Sequence, residues 1–313
     1  MKVSPLKIGN SEVRNNIFLA PMAGYTDGAL RSLFLKLGAG LCFTELVSAK
    51  GLVYGGKGSE ELLRCEGNDV SRTAAQIFGG DPYFMRKAAE SESLKDFSVI
   101  DINMGCPVPK VYKNGEGSAL LADINKAKKI IKECAASGKT ITVKIRTGLK
   151  YGDDIAAEFA KMAEDAGASL VTVHGRVREA YYSGEPDYAA VERAVAAVKI
   201  PVIANGGIFT VSDADKMLDR TGAAGIMLAR GALRNPFLFS ELLNTEPSMS
   251  FSEFAINQLK LSVAEKGEIR AVKEFRKFAP YYFRGAKNSG AARLAVSSAA
   301  TFLEIERIIR ENL

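Results

Sequence analysis

Short runs of apolar, mostly β-branched residues recur along the first three quarters of the chain. They lie at 17–20, 41–44, 74–78, 99–104, 140–145, 170–174, 201–204 and 225–228. Each is of strand length, and the segments between them place apolar residues three and four apart, as an amphipathic helix does. After the first run, Thr26 or Asp27 can N-cap a helix, Leu30, Leu33, Phe34 and Leu37 share its face, and Gly38 can end it. After the fourth, the stripe is Ile124, Ala127, Ile131 and Cys134, closed by Gly138. After the fifth, Asp153 or Asp154 is the expected cap, Ile155, Phe159, Met162 and Ala166 the stripe, and Gly167 the stop.

Eight strand–helix units within about 230 residues predict a closed parallel (β/α)8 TIM barrel. A doubly wound sheet would usually carry a GxGxxG turn after its first strand. Here that turn reads Ala20-Pro21-Met22-Ala23-Gly24. Ahead of the barrel, Leu6 to Val13 around Gly9-Asn10 reads as a hairpin capping the barrel floor. The alternation stops after Asn235-Pro236, and the rest has helical period over 254–266, 270–282, 290–302 and a last stretch to 310. The expected organisation is a catalytic barrel over residues 1–245, then a small helical-bundle domain over 246–313, joined near Pro247.

The phase of each strand exposes an oddity. Ile100, Ile102 and Met104 take the helix-facing set of the fourth strand, which turns Asp101 and Asn103 inward. In the fifth, Ile141, Val143 and Ile145 face out, and Thr142, Lys144 and Arg146 face in or reach the rim. Thr172 and His174 on the sixth strand and Gln76 on the third also point inward. Barrel interiors are usually filled by branched apolar residues, and an unpaired buried charge costs several kcal/mol. Singly, each residue has a plain explanation: a satisfied core amide, a lysine snorkelling to solvent, a structural histidine, an Arg146 exposed or paired with Glu45 or Asp101. Together, Gln76, Asn103, Lys144 and His174 fall at the C-terminal strand ends, where active sites of this fold form. Asn205-Gly206-Gly207 and Ala229-Arg230-Gly231 follow the last two strands, the usual phosphate position. Cys106, between Gly105 and Pro107, is a thiol that could donate a proton or simply pack.

Charge adds a partner class. The chain carries net +6, and residues 270–293 hold seven cations (Arg270, Lys273, Arg276, Lys277, Arg284, Lys287, Arg293) against one anion, Glu274, so the remainder sums to zero. Such a local excess suits phosphate contacts or a solvated helix face. The four cysteines (Cys42, Cys65, Cys106, Cys134) form no CxxC pair and no metal-like spacing, which predicts a reducing, cytoplasmic setting and no metal. No apolar run approaches the ~18 residues a membrane span needs, and no signal peptide is expected at the N-terminus.

Several stretches resemble tRNA-dihydrouridine synthases, with the bacterial B subgroup the nearer match. They are 20–24 (APMAG), Asp101-Ile102-Asn103-Met104-Gly105-Cys106-Pro107, Lys144 to Gly148 (KIRTG), His174-Gly175-Arg176 and Ile203 to Gly207 (IANGG). The resemblance runs in order along the barrel and into the helical tail. It implies FMN across the mouth, with Pro21, Met22 and Ala23 lining the ring and Gln76 and Lys144 on its edge. His174 would contact the cofactor, and Asn205, Gly206, Gly207, Ala229 and Arg230 would hold the phosphate. It further implies NADPH or NADH as reductant, hydride to C6 of a flipped uridine and a proton to C5 from Cys106. Asn103 would orient the uracil, Arg178 would contact RNA, and Arg276, Lys277, Arg284, Lys287 and Arg293 would grip the tRNA. A monomer is expected. Three positions depart from the family pattern: Val177 for Thr, Ala229 for Gly and Phe278 for His. Rival readings are a dihydroorotate- or dihydropyrimidine-type dehydrogenase acting on a free pyrimidine, an RNA-binding protein without turnover, and a phosphate-binding isomerase or lyase using Asp101 or Glu45.

Overall fold

The computed structural model describes residues 2–65 and 67–313. The expected hairpin is there: β1 (Leu6–Ile8) pairs antiparallel with β2 (Ser11–Val13), and Gly9 turns with φ +56°. The barrel strands are β3 (Ile17–Leu19), β4 (Leu41–Phe43), β6 (Thr73–Phe78), β7 (Val99–Met104), β8 (Thr140–Arg146), β9 (Leu170–His174), β10 (Val202–Asn205) and β11 (Gly225–Leu228). All neighbours are parallel, and β11–β3, β3–β4 and β4–β6 pairings close the ring. A two-residue strand, β5 (Val47–Ser48), adds to the β6 edge; it is too short for periodicity to predict.

Around the ring lie α1 (Gly28–Lys36), α2 (Ala49–Val53), α3 (Lys57–Glu61), α4 (Pro82–Ala89), α5 (Pro109–Lys113), α6 (Ile124–Ala135), α7 (Ala156–Asp165), α8 (Tyr188–Ala197), α9 (Val211–Thr221), α10 (Arg230–Arg234) and α11 (Leu238–Leu243). Asp27 caps α1 by accepting from Leu30 N, as expected. Asp153 does not cap α7. Ile155 holds the N-cap position, while Asp153 closes the preceding turn by accepting from Leu149 N and Lys150 N.

The tail folds as α12 (Phe251–Lys266), α13 (Glu268–Phe275), α14 (Ala279–Tyr282), α15 (Ser289–Ser298) and α16 (Phe302–Asn312). The expected 290–302 helix is broken after Ser298, because Thr301 forms a capping box with Glu304 and starts α16 afresh. The helices share the barrel's apolar core: Phe254 meets Phe34 of α1 at 5.6 Å between ring centroids. Lys266 bridges Asp27 at 2.7 Å and Glu274 at 2.8 Å, tying α12 and α13 to the α1 N-terminus. Phe278 is 2% exposed and packs edge-on against Tyr25, so this departure from the family pattern belongs to the core. Among the described residues no helix is long and apolar enough to cross a membrane.

Candidate active site at the barrel mouth

The inward side chains change character along the barrel axis. At the floor, Ile8 and Val13 of the hairpin plug a cluster of Phe18, Leu41, Phe43, Ala74, Val99, Leu170 and Ile203, with Met227 reaching from it to the mouth cavity. By register, Gln76, Asp101 and Thr142 form one inward row, Asn103, Lys144 and Thr172 the next, and Arg146, His174 and Asn205 a third. The helix-facing set is apolar, as the strand phases predict, except Thr73, whose hydroxyl donates to the Asp69 carbonyl.

The polar layer is wired from the inside out. Asp101, fully buried, accepts from Gln76 Nε2 at 2.7 Å and from Thr142 Oγ1 at 2.6 Å. Gln76 Oε1 accepts from Asn103 Nδ2 at 2.9 Å, and Asn103 Oδ1 accepts from the Gly105 and Cys106 amides at 3.2 and 2.9 Å. A chain of side-chain amides thus carries the position of a core carboxylate out to the Cys106 loop. Gln76 Nε2 and Asn103 Nδ2 each keep one N–H uncommitted. Desolvation lifts Asp101 to about 6 despite these donors and the nearby Lys144.

Opposite lies a cationic wall. Lys144 does not snorkel outward: its Nζ donates to Asn205 Oδ1 at 2.9 Å, and Asn205 Nδ2 donates to the Met227 carbonyl at 2.7 Å. Desolvation, then repulsion from Arg146, lowers the Lys144 pKa to about 7, with Asp101 opposing. Burial, then the surrounding Arg146, Lys144, Arg176 and Arg230 charges, holds His174 well below its usual range. Its Nε2 lies 3.2 Å from Arg176 Nη1, a pure donor, so Nε2 accepts and the neutral ring carries its proton on Nδ1. Burial, the largest influence, raises the Cys106 thiol, which therefore stays protonated at neutral pH.

Arg146 corrects the sequence reading. It is 2% exposed and pairs with no carboxylate among the described residues. Its Nε donates to the Gly105 carbonyl at 2.8 Å, and its Nη1 to the Val177 and Tyr181 carbonyls at 3.0 and 2.9 Å. The guanidinium staples the Cys106 loop to the loop after β9. Val177 contributes its carbonyl there, a contact no side-chain hydroxyl is needed for.

One cavity of about 570 Å³ collects Pro21, Met22, Ala23, Gln76, Asn103, Cys106, Lys144, His174, Asn205, Gly206, Gly207, Ala229 and Arg230. Its lining includes no Asp or Glu. Gly206 and Gly207 adopt φ +111° and +73°, and a Cβ on Gly206 would lie 2.7 Å from His174 Cδ2. A Cβ on Gly231 would lie 2.1 Å from the Ile208 carbonyl, so the backbone approach there requires glycine. Ala229 takes φ −128°, outside the left-handed region, and accommodates its methyl.

Arg178 is not in the lining; it stacks over Tyr112 at 3.7 Å. Arg276, Lys277, Arg284, Lys287 and Arg293 also lie outside it, and the tail reaches the cavity through Tyr281. The basic stretch is less uniform than its composition: Arg270 is paired with Glu61 and Glu274, Lys277 lies 3.7 Å from Glu274, and Arg276 holds the Ala299 carbonyl. Burial, then the charges of Arg284 and Arg230, lowers the Arg234 pKa, so Arg284 lies in the same field as the cavity residue Arg230. Sequence reasoning missed Tyr25, Tyr182, Phe209 and Tyr281 as lining residues. Tyr182 stacks near His174 at 6.3 Å and lies under Arg230 at 4.8 Å. It sits in an irregular loop, where no periodicity marks it.

Barrel, glycine turns and a cationic, carboxylate-free mouth together define a (β/α)8 protein whose candidate site lies at the C-terminal ends of its strands. Solved structures agree on the fold: a variant of NCR from Zymomonas mobilis matches with TM-score 0.54 and 18% identity over 78% of this chain and 92% of that chain. Morphinone reductase in complex with tetrahydroNAD gives TM-score 0.53 and 15% identity over 80% and 93%. The dihydrouridine synthase (Dus) family model matches residues 18–306. A probable tRNA-dihydrouridine synthase of Rickettsia bellii is 35% identical over 302 residues, 93% of each chain. The tRNA-dihydrouridine synthase B of Vibrio cholerae is 37% identical, covering 82% of this chain and 80% of its own. The chain belongs to the dihydrouridine synthase family.

Proposed function

We propose that this protein reduces the C5=C6 bond of uridines in tRNA to give 5,6-dihydrouridine, on FMN recharged by NADPH or NADH. The observation that carries the reading is a single cavity that gathers Lys144, the Asn205–Gly207 turn, Arg230 and the Cys106 thiol. The donor set fits the cofactor. The positive-φ turn at Gly206 and Gly207 and the backbone at Gly231 border the cavity, Arg230 adds a cation for the phosphate, and the lining offers no anion to repel it. Pro21, Met22 and Ala23 would line the ring, with His174 and Ala229 completing the wall. When bound, the flavin supplies hydride to C6 of the uracil.

The residues supply the rest. Lys144 places a cation against the ring edge, and its charged form is favoured once an anion joins it. The spare N–H of Gln76 addresses the same edge, and that of Asn103 addresses the uracil. Cys106, kept as a thiol by burial, delivers the proton to C5. A uridine in folded tRNA must leave its stack to enter such a cavity. Residues 246–313 form the tRNA-binding unit in this reading. Arg276, Lys277, Arg284, Lys287 and Arg293 supply phosphate contacts, and Arg178 a further RNA contact near the mouth. The protein works in this reading as a cytoplasmic monomer.

Cys106→Ala tests the assignment. It should still bind FMN and be reduced by NADPH, while dihydrouridine formation falls by about 10²–10⁴-fold. Unimpaired turnover in that variant contradicts the role of the thiol.

A further inference from the structure

A second surface, outside the mouth, combines rings and charges in a way the chemistry above does not use. Tyr54 closes α2 and is 75% exposed; Tyr83, in the first turn of α4, is 61% exposed. Both rings abut Phe84, at centroid distances of 5.6 and 5.3 Å. The Lys50 ammonium lies 5.1 Å from the Phe84 centroid and joins no ion pair among the described residues. Single exposed tyrosines need no explanation, but two exposed rings that flank a third, itself under a lysine, form an open stacking ledge.

Next to the ledge is an open depression lined by Ser48, Lys50, Phe78, Lys110, Asn114 and Glu116. Glu116 lies in the field of Lys50 and Lys126, so its carboxylate is held among cations. Lys110 belongs to α5, and Val108, two residues before it, lines the mouth cavity. Lys50 thus joins the ledge to the depression, and the segment that follows Cys106 joins the depression to the mouth. The chemistry is that of nucleotide recognition. Aromatic faces accept a base, ammonium groups accept a phosphate, and a carboxylate with an amide can pair with a base edge. A purely protein partner would have less use for two lysines beside exposed rings.

We propose that this ledge and depression bind a second, unpaired nucleotide of the same RNA whose uridine enters the mouth. The inference rests on the reading of tRNA as substrate. The test uses FMN-loaded, full-length protein and steady-state dihydrouridine formation on unmodified tRNA. Tyr54→Ala/Tyr83→Ala should raise the KM for tRNA about tenfold, with kcat, flavin spectrum and the KM for NADPH unchanged. Tyr54→Phe/Tyr83→Phe should keep the wild-type KM, since stacking needs only the rings. Lys50→Ala/Lys110→Ala should raise KM at low salt and lessen the salt slope by about 0.7 per lysine. An unchanged KM for tRNA in the alanine pair overturns the site. So does a KM change confined to NADPH, which would assign the ledge to the dinucleotide. Wild-type protein that makes no dihydrouridine on any tRNA would instead sink the reading of the function itself.

Discussion

The lower and upper halves of the barrel interior are built from the same strands and follow opposite rules. Below, the inward positions are apolar apart from Thr140 beside the hairpin, and the hairpin residues Ile8 and Val13 seal the plug. Above, Asp101, Gln76, Asn103, Lys144, His174 and Asn205 fill equivalent positions, and hydrogen bonds link each to a neighbour. The lower half is a solution to folding alone. The upper half costs desolvation, visible in an Asp101 lifted to about 6 and a Lys144 lowered to about 7. A fold that needed only stability would continue the plug to the rim, so the polar layer marks where a ligand is received.

Exchanging the rules between the halves sharpens this contrast. Val99→Asp would put an unpartnered carboxylate into the plug and should cost about 4 kcal/mol or more in urea unfolding. Lys144→Met extends the plug upward. It should weaken FMN binding by about 10- to 100-fold while leaving the unfolding midpoint of the flavin-free protein unchanged or higher. The same variant carries a pH signature. Lys144 in the fold titrates at about 7, against about 10.4 in an unfolded chain. Between those values the unfolded state holds more protons, so the flavin-free protein gains stability as pH rises from about 7 to about 10. Lys144→Met should flatten that rise in thermal melts across pH. Thr142→Val is the mildest change. It removes one donor from Asp101 and should cost about 1–2 kcal/mol near pH 8, and less near pH 5, where Asp101 holds its proton.

Much of this contrast was legible before any coordinates. Strand phase needs only local alternation, so Ile100/Ile102 against Asp101/Asn103 fixed which side chains turn inward. Helix boundaries were less legible where a competing cap decided them, as at Thr301. The role of Arg146 was hidden because its partners are backbone carbonyls of Gly105, Val177 and Tyr181, brought together from two separate loops. Carbonyls leave no trace in residue type. Tyr182 and Phe209 were missed for a related reason, since loop aromatics have no period. The basic tail shows the reverse failure. Composition counted Arg270 as available, whereas folding brings Glu61 beside it.

The most direct test of the central claim is an anaerobic flavin titration of the purified protein. The account predicts a yellow protein with equimolar FMN whose colour is bleached by NADPH and restored by unmodified tRNA, with dihydrouridine formed in proportion. A colourless protein that takes up no FMN, or a reduced flavin that tRNA fails to reoxidise, would contradict it.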